Sequence, residues 1–146
     1  DIIWVLNPKN DSLENLCLYI REYAVKFFES SDTRVEFEFP QPMPSMKLSE
    51  EQRRNIFLVI KETLNNTAKH AHSTLVKISV ILFAHGLLIR IEDNGKGFEY
   101  SEVRPFANGL SNMKGRMEQV GGEFRLHSEP GKRTVTELEL PSNIFV

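Results

Sequence analysis

Gly86-Leu87-Leu88-Ile89-Arg90-Ile91-Glu92-Asp93-Asn94-Gly95-Lys96-Gly97-Phe98 is the stretch from which the rest of the chain can be read. Its first half alternates with period two, the pattern of a half-buried strand. On that reading Leu87, Ile89, Ile91 and Asp93 share one face, three of them core residues and the fourth a carboxylate. A carboxylate that closes an apolar stripe must find a hydrogen-bond donor or carry a desolvation cost. Gly95 and Gly97 let the backbone turn and let something come close. A buried acid beside bare backbone points to a ligand pocket at a strand end; a plain Asp-Asn-Gly tight turn is the other reading of the same letters.

Working outward, Val76, Ile78, Val80 and Leu82 predict a preceding strand, with His85-Gly86 as the tight turn of a hairpin. Upstream, Ser49 followed by Glu50-Glu51 predicts a capped helix running to about Ala71. At 100° per residue Ile56, Ile60, Leu64, Thr67 and Ala71 fall in one core-facing sector. Glu62, Asn66, Lys69 and His70 form a stripe beside it, readable as a functional edge or as a solvated flank with i,i+4 pairing. Before that helix, Pro40, Pro42 and Pro44 mark a connector too short to separate domains. Val35, Phe37 and Phe39 alternate with Glu36 and Glu38 as a strand with one wet face. An amphipathic helix capped by Asp11 or Ser12 carries Leu13, Leu16, Cys17, Ile20, Tyr23, Ala24, Phe27 and Phe28.

Downstream, Glu99 to Asn108 reads as a polar, irregular loop of lid length. Gly109 then precedes a helix with Leu110, Met113, Met117 and Val120 at helical spacing, stopped by Gly121-Gly122. Phe124 and Leu126, then Val135, Leu138 and Leu140, predict two last strands around Ser128-Glu129-Pro130-Gly131.

With 146 residues, 40% hydrophobic, 26% charged and a net charge of −2, the chain fits one soluble domain with a core. That balance gives no support for a nucleic-acid surface or a polybasic membrane contact. A single cysteine, Cys17, forms no internal disulfide, which fits a reducing cytosol. The most apolar run, Leu75 to Phe83, is interrupted by Lys77 and is too short to span a bilayer. The chain begins Asp1-Ile2-Ile3 without a methionine and reads as a piece of something longer, any membrane segment of which would lie outside it.

Three boxes now stand in order: Glu62-Thr63-Leu64-Asn65-Asn66-Thr67-Ala68-Lys69-His70, then Asp93-Asn94-Gly95-Lys96-Gly97-Phe98, then Asn108-Gly109-Leu110-Ser111-Asn112-Met113. From Ser49 to about Pro141 they resemble the ATP-binding boxes of the superfamily joining DNA gyrase, heat-shock chaperones, sensor histidine kinases and mismatch-repair MutL. Asn108-Gly109-Leu110 through Gly121-Gly122 resembles the short, nitrate-sensor-like histidine kinases. Ile2-Ile3-Trp4-Val5-Leu6-Asn7-Pro8 looks like the junction after their dimerisation helices. The resemblance implies a Bergerat-type ATP-binding fold: an α/β (α+β) two-layer sandwich, a mixed sheet of about five strands with helices packed on one face. It implies residues 1–10 as junction and 11–146 as the catalytic domain.

The resemblance also implies roles. ATP and Mg²⁺ are the expected cofactors. Asn66, the asparagine of the family's Glu, three residues, Asn pattern, would hold Mg²⁺, with Asn65 beside it. Glu62 would act on water or the metal shell, Lys69 would reach the phosphates, and His70 would line the site. Asp93 would accept from the adenine amino group, Gly95 and Gly97 would give room for base and lid, and Thr134 would lie near the adenine. The Gly109-Leu110 turn, with Met113 on the following helix, would offer free backbone N–H groups to phosphate. Three positions depart from the family pattern: Ala107 and Asn112 stand where glycines are common, and Arg133 replaces the second glycine before Thr134. None of His70, His72, His85 and His127 has the context of a phosphoacceptor, which the resemblance places on a preceding dimerisation domain. The implied activity is γ-phosphoryl transfer to that histidine, in the cytoplasm, with a response regulator downstream. An anti-sigma-factor serine kinase and a non-catalytic nucleotide sensor or scaffold are the rival readings.

Overall fold

A computed structural model describes residues 7–71, 73–95, 104–129 and 131–144. Its five strands form one mixed sheet in the order β1-β2-β3-β5-β4. They are β1 (Arg34–Glu38), β2 (Leu75–Phe83), β3 (Gly86–Asp93), β4 (Glu123–Ser128) and β5 (Thr134–Pro141). β1 runs parallel to β2, and every other pairing is antiparallel. Helices α1 (Leu13–Phe28), α2 (Glu50–Asn66) and α3 (Arg104–Gln119) share a continuous core with one sheet face, α1 over β1 and α3 over β4 with α2 between them. The expected two-layer sandwich is borne out.

The opening stretch sets this arrangement. In β3 the side chains of Leu87, Ile89, Ile91 and Asp93 are buried while 88, 90 and 92 are only partly covered, as period-two alternation requires. Val76, Ile78 and Val80 of β2 lie opposite Asp93, Ile91 and Ile89 and join the same buried face. The hairpin turn is Ala84-His85, with Gly86 as the first strand residue, one position from the expected His85-Gly86. Gly86 is needed there because a Cβ would fall 2.2 Å from the Leu140 carbonyl oxygen of β5. On β5 the buried residues are Thr134, Thr136, Leu138 and Leu140. Val135 therefore turns to the opposite face rather than joining Leu138 and Leu140, and two threonines supply core positions that hydropathy did not mark.

The far face carries no helix among the described residues and is covered by charge instead. Arg90 and Arg125 both bond Glu137, at 3.0 and 3.3 Å, and Arg125 also bonds Glu139 at 2.8 Å. Burial alone would raise the Glu137 carboxyl, but the two guanidinium groups outweigh it and hold it below the usual range.

Local chemistry explains the helix starts. Ser12 caps α1 by accepting from the Asn15 N–H at 3.1 Å. At α2, Ser49 and Gln52 form a reciprocal capping box, at 3.1 and 2.7 Å. The proline connector folds back on α1: the Leu13 N–H bonds Met46 O and the Leu48 N–H bonds Asp11 O, each at 2.8 Å. It is a strap that ties the start of α1 to the approach to α2. Cys17 is a core residue of α1, and burial pushes its thiol up to about 12.

Flanked by both other helices, α2 is buried over a wider arc than one apolar sector. Gln52, Arg53, Asn55 and Thr63 are buried with Ile56, Ile60 and Leu64. Asn55 is fully buried because its Nδ2 donates to Arg116 O at 2.8 Å and to Gln119 Oε1 at 3.1 Å, satisfying a carbonyl in the last turn of α3. Asn55→Ala should cost about 1–3 kcal/mol, the range for orphaning a buried polar partner, as read by urea denaturation.

Two expectations about helices need correction. The second helix does reach Ala71, but not as one α-helix: it changes to a π-helical turn at Thr67–Ala71. The expected irregular run up to Asn108 is also shorter, because α3 begins at Arg104. Pro105 sits in its first turn, where a missing N–H costs nothing. A lone glycine inside a helix costs only about 1 kcal/mol, too little for Gly109 to end it.

Candidate functional site

Asp93 closes the buried face of β3 and is 5% exposed. Its Oδ1 accepts the Gly95 N–H at 2.8 Å, so the turn after the strand supplies one of the donors its burial demands. Across the sheet it pairs with Thr134, whose hydroxyl lies 2.8 Å from that of Ser128. Asp93 and Gly95 from the second box, and Thr134 from outside all three, thus meet at one end of the sheet. Ser128 was not picked; a serine before a turn gives no signal until the β4–β5 register places it opposite Thr134.

The polar end of α2 reaches this same end of the sheet. The π-helical turn at Thr67–Ala71 leads to the start of β2, and Val76 there is the cross-strand partner of Asp93. π turns are rare and concentrate at functional sites. Asn66 ends α2 just before that turn, and its Nδ2 is buried with no hydrogen-bond partner. Turning the amide about its Cβ–Cγ bond would present the oxygen at that position. The orphaned amide therefore suits an external acceptor in one orientation and a hard cation in the other, and Mg²⁺ takes few protein oxygens and keeps several waters. Among the described residues no cluster of three or more His, Cys, Asp or Glu side chains forms a richer metal site. Lys69 is exposed on the π turn. The backbone of His70 lies in that turn, while its side chain, Gly97 and the lid from Lys96 to Val103 lie outside the described residues, as do the junction from Asp1 to Leu6 and His72.

Glu62 takes a different position from Asn66. It is half-buried on the side of α2 that meets α3, with Oε1 3.0 Å from where a Gly109 Cβ would stand. Glu62, Asn65 and Lys61 of α2 face Gly109, Asn112 and Arg116 of α3 across a groove of about 430 Å³. Gly109 thus matters by letting Glu62 approach, and the expected phosphate-binding turn is not formed. Gly109 and Leu110 lie inside α3, past its first four residues, where backbone N–H groups are already used by the helix. Met113 is buried in the core, its sulfur 3.6 Å from the Thr63 hydroxyl, and Leu110 packs half-buried beside it. Arg133 carries its guanidinium to Glu92 on the charged face, at 3.2 Å, so the residue that replaces a glycine turns away from the Asp93 side. Asn112 is exposed on the groove rim. The side chain of Ala107 lies outside the described residues.

The electrostatics of Asp93 give a test. Burial raises its carboxyl above the usual range, opposed by the Gly95 and Thr134 backbone groups. Between the ordinary aspartate value and the raised one, the folded chain holds a proton that the unfolded chain has lost. Stability therefore falls as pH rises through that window, and the full penalty stands above it. Nucleotide-free Asp93→Asn should be more stable than the natural chain near pH 7, with the gap closing toward about pH 4, in denaturation series across pH.

The model of the family described as "Histidine kinase-, DNA gyrase B-, and HSP90-like ATPase" matches residues 51–144. Sensor protein VraS of Staphylococcus haemolyticus is 35% identical over 89 residues, 61% of this chain and 26% of the relative, and VraS of Staphylococcus aureus matches to the same extent. The chain thus spans about a quarter of the length of these curated relatives. Among solved structures, the histidine kinase domain of an Erythrobacter litoralis blue-light activated histidine kinase superposes with a TM-score of 0.72 at 19% identity, over 88% of this chain and 61% of that one. Acinetobacter baumannii histidine kinase AdeS gives 0.72 at 15% identity, over 91% and 66%. These last two likenesses show the fold alone. The matched segment runs from the start of α2 to the end of β5 and takes in every site residue discussed above: the chain belongs to the histidine kinase-, DNA gyrase B- and HSP90-like ATPases and is an ATP-binding domain related to those of sensor proteins.

Proposed function

We propose that this domain binds Mg-ATP and, within its parent protein, passes the γ-phosphoryl group to a histidine on a dimerisation domain outside this chain, with a response regulator as the next acceptor. The observation that carries the reading is Asp93, a buried carboxylate at the sheet end paired with Thr134. Such an acceptor matches an exocyclic amino group on a base. In this reading Asp93 and Thr134 hold the adenine, and Gly95 leaves room beside it. Asn66 would hold Mg²⁺, which when bound neutralises phosphate charge; Lys69 adds a cation at the same end, within reach of the phosphates. Glu62, against α3, would act on water or the metal shell. In the transfer, the bond from the γ-phosphorus to the bridging oxygen of ADP breaks as a bond to the acceptor nitrogen forms. Of the histidines whose side chains are described, His85 sits in the hairpin turn and His127 on β4, and the backbone of His70 lies in the π-helical turn beside Asn66, not on a dimerisation helix. That supports an acceptor elsewhere in the parent protein, in the cytoplasm with this domain. No helix among the described residues is long and apolar enough to cross a membrane.

The test is transfer of labelled γ-phosphate from ATP to the parent's dimerisation helices, with a small anti-anti-sigma protein as the competing acceptor. Label on histidine is the expected result; label on serine of the second protein, or none on either, overturns the reading. Asn66→Ala should bind ATP about as well without Mg²⁺ as with it, whereas the natural chain should gain roughly tenfold from the ion, measured by calorimetric titration.

A further inference from the structure

Asp93 and Asn94 are adjacent but point into different networks. Asp93 is tied to Gly95 and, across the sheet, to Thr134. Asn94 turns to the other side: its Oδ1 accepts the N–H groups of both Thr74 and Leu75, each at 2.9 Å. Its Nδ2 donates to Thr74 Oγ1 at 2.9 Å, and its own backbone N–H donates to Leu75 O at 3.2 Å. One side chain thus grips the segment that enters β2 from the π-helical end of α2. The opposite side of that segment is held by the edge of the sheet, where Arg34 N–H donates to Thr74 O at 2.8 Å and Thr33 Oγ1 to Ser73 O at 2.9 Å. Beside the β2–β3 ladder, Asn94 is therefore a side-chain link between the strand that carries Asp93 and the lead-in from the helix end that carries Asn66 and Lys69.

We infer that Asn94 is a positioning residue that fixes the spacing between the base-recognising and phosphate-handling halves of the site, without touching either. This rests on the nucleotide reading above. Two groups held at the right separation capture a two-headed ligand far better than the same groups with a loose spacing, because the ordering is done before binding. Asp93 itself is held by the β3–β5 ladder and the Gly95 turn, neither of which uses the Asn94 side chain. A ligand that is mostly base should not sense Asn94; a ligand spanning both halves should.

The experiment titrates the 146-residue chain with Mg-ATP and with AMP, in the natural form and as Asn94→Ala, Asn94→Asp and Asn94→Gln. Asn94→Ala should weaken ATP about tenfold and AMP by less than about threefold, compressing the ratio of the two affinities. Asn94→Asp, which keeps an oxygen for both backbone N–H groups and lets the Thr74 hydroxyl become the donor, should restore the ratio. Asn94→Gln keeps the amide but displaces it by one methylene, and should compress the ratio even if the alanine variant does not fold. Equal loss for both ligands would reduce Asn94 to general support of the fold, and no loss for either would remove it from the site; each overturns the proposal. A natural chain that binds ATP normally while the variants fail this pattern leaves the nucleotide reading standing. A natural chain that binds neither ligand overturns both.

Discussion

Asp93→Ala should weaken ATP binding by roughly a hundredfold while leaving the domain folded. A hydrogen bond to a charged group is worth about 1.5–3 kcal/mol, and the alanine also leaves the ligand's amino group without a partner inside a closed site. In the empty domain the neutral Asp93→Asn, which removes the charge that burial disfavours yet keeps an oxygen for the Gly95 N–H, should hold or raise the melting temperature. This opposition of lower affinity and undiminished stability separates a recognition residue from a merely structural one. GTP, which carries a carbonyl where adenine carries the amino group, should bind the natural chain poorly, because two acceptors would face each other. Calorimetric titration of both nucleotides checks the pair, and an alanine variant that binds ATP like the natural chain would show the recognition site to be misplaced.

Gly86→Ala should be the most destabilising small substitution in the sheet. Its Cβ would stand 2.2 Å from Leu140 O and 3.1 Å from both Leu140 C and Pro141 Cα, all of them backbone atoms of the neighbouring strand. No side chain can rotate away to relieve the clash; β3 and β5 must separate where the Ser142 N–H, just past β5, also holds His85 O of the turn at 2.8 Å. A loss of about 3 kcal/mol or more is expected, a large part of the 5–15 kcal/mol that holds a domain together. Gly115 supplies the control. It lies in α3 with nothing within 4 Å of an added Cβ, so Gly115→Ala should stabilise by about 0.5–1 kcal/mol. Urea denaturation of the two variants side by side reads both signs.

Most of the fold was legible because burial and period coincide. Leu87, Ile89 and Ile91 are apolar, alternate, and are buried; Leu13, Leu16, Ile20 and Ala24 recur at helical spacing and are buried. What escaped was burial achieved by polar groups. Asn55, Thr134 and Thr136 occupy core positions because partners elsewhere in the chain satisfy them or because a strand register puts them there, and neither cause is written in local composition. The start of α3 escaped for a different reason. Pro105, Asn108 and Gly109 read together as breakers, yet each is tolerable where it falls in the helix, and tertiary support decides the sum. At the site, the burial of Asp93 at the end of β3 was legible from one strand's alternation. The stripe on α2 was read as a single edge, but the structure divides it: Glu62 faces α3, while Asn66 stands at the π-helical turn, which no wheel drawn at 100° per residue anticipates. Asn94 went unremarked because an asparagine in a turn usually serves its own backbone, and here it serves a segment twenty residues away.

The strand order gives the two halves of the site unequal footing. β3 is central, paired along eight residues on each side, whereas β1 is an edge strand held to β2 alone through five. Local opening takes least free energy where a strand has one neighbour and few pairs, so it grades across this sheet from β1 inward. The Asp93 end is moored to the strand that opens last. The entry to β2 is moored on one side to that same strand, through Asn94, and on the other to the lead-in of β1, through Thr33 and Arg34. Fraying at the edge therefore slackens the helix end before it disturbs the carboxylate, so that on the nucleotide reading proposed above the domain would loosen its hold on one end of the ligand while keeping the other.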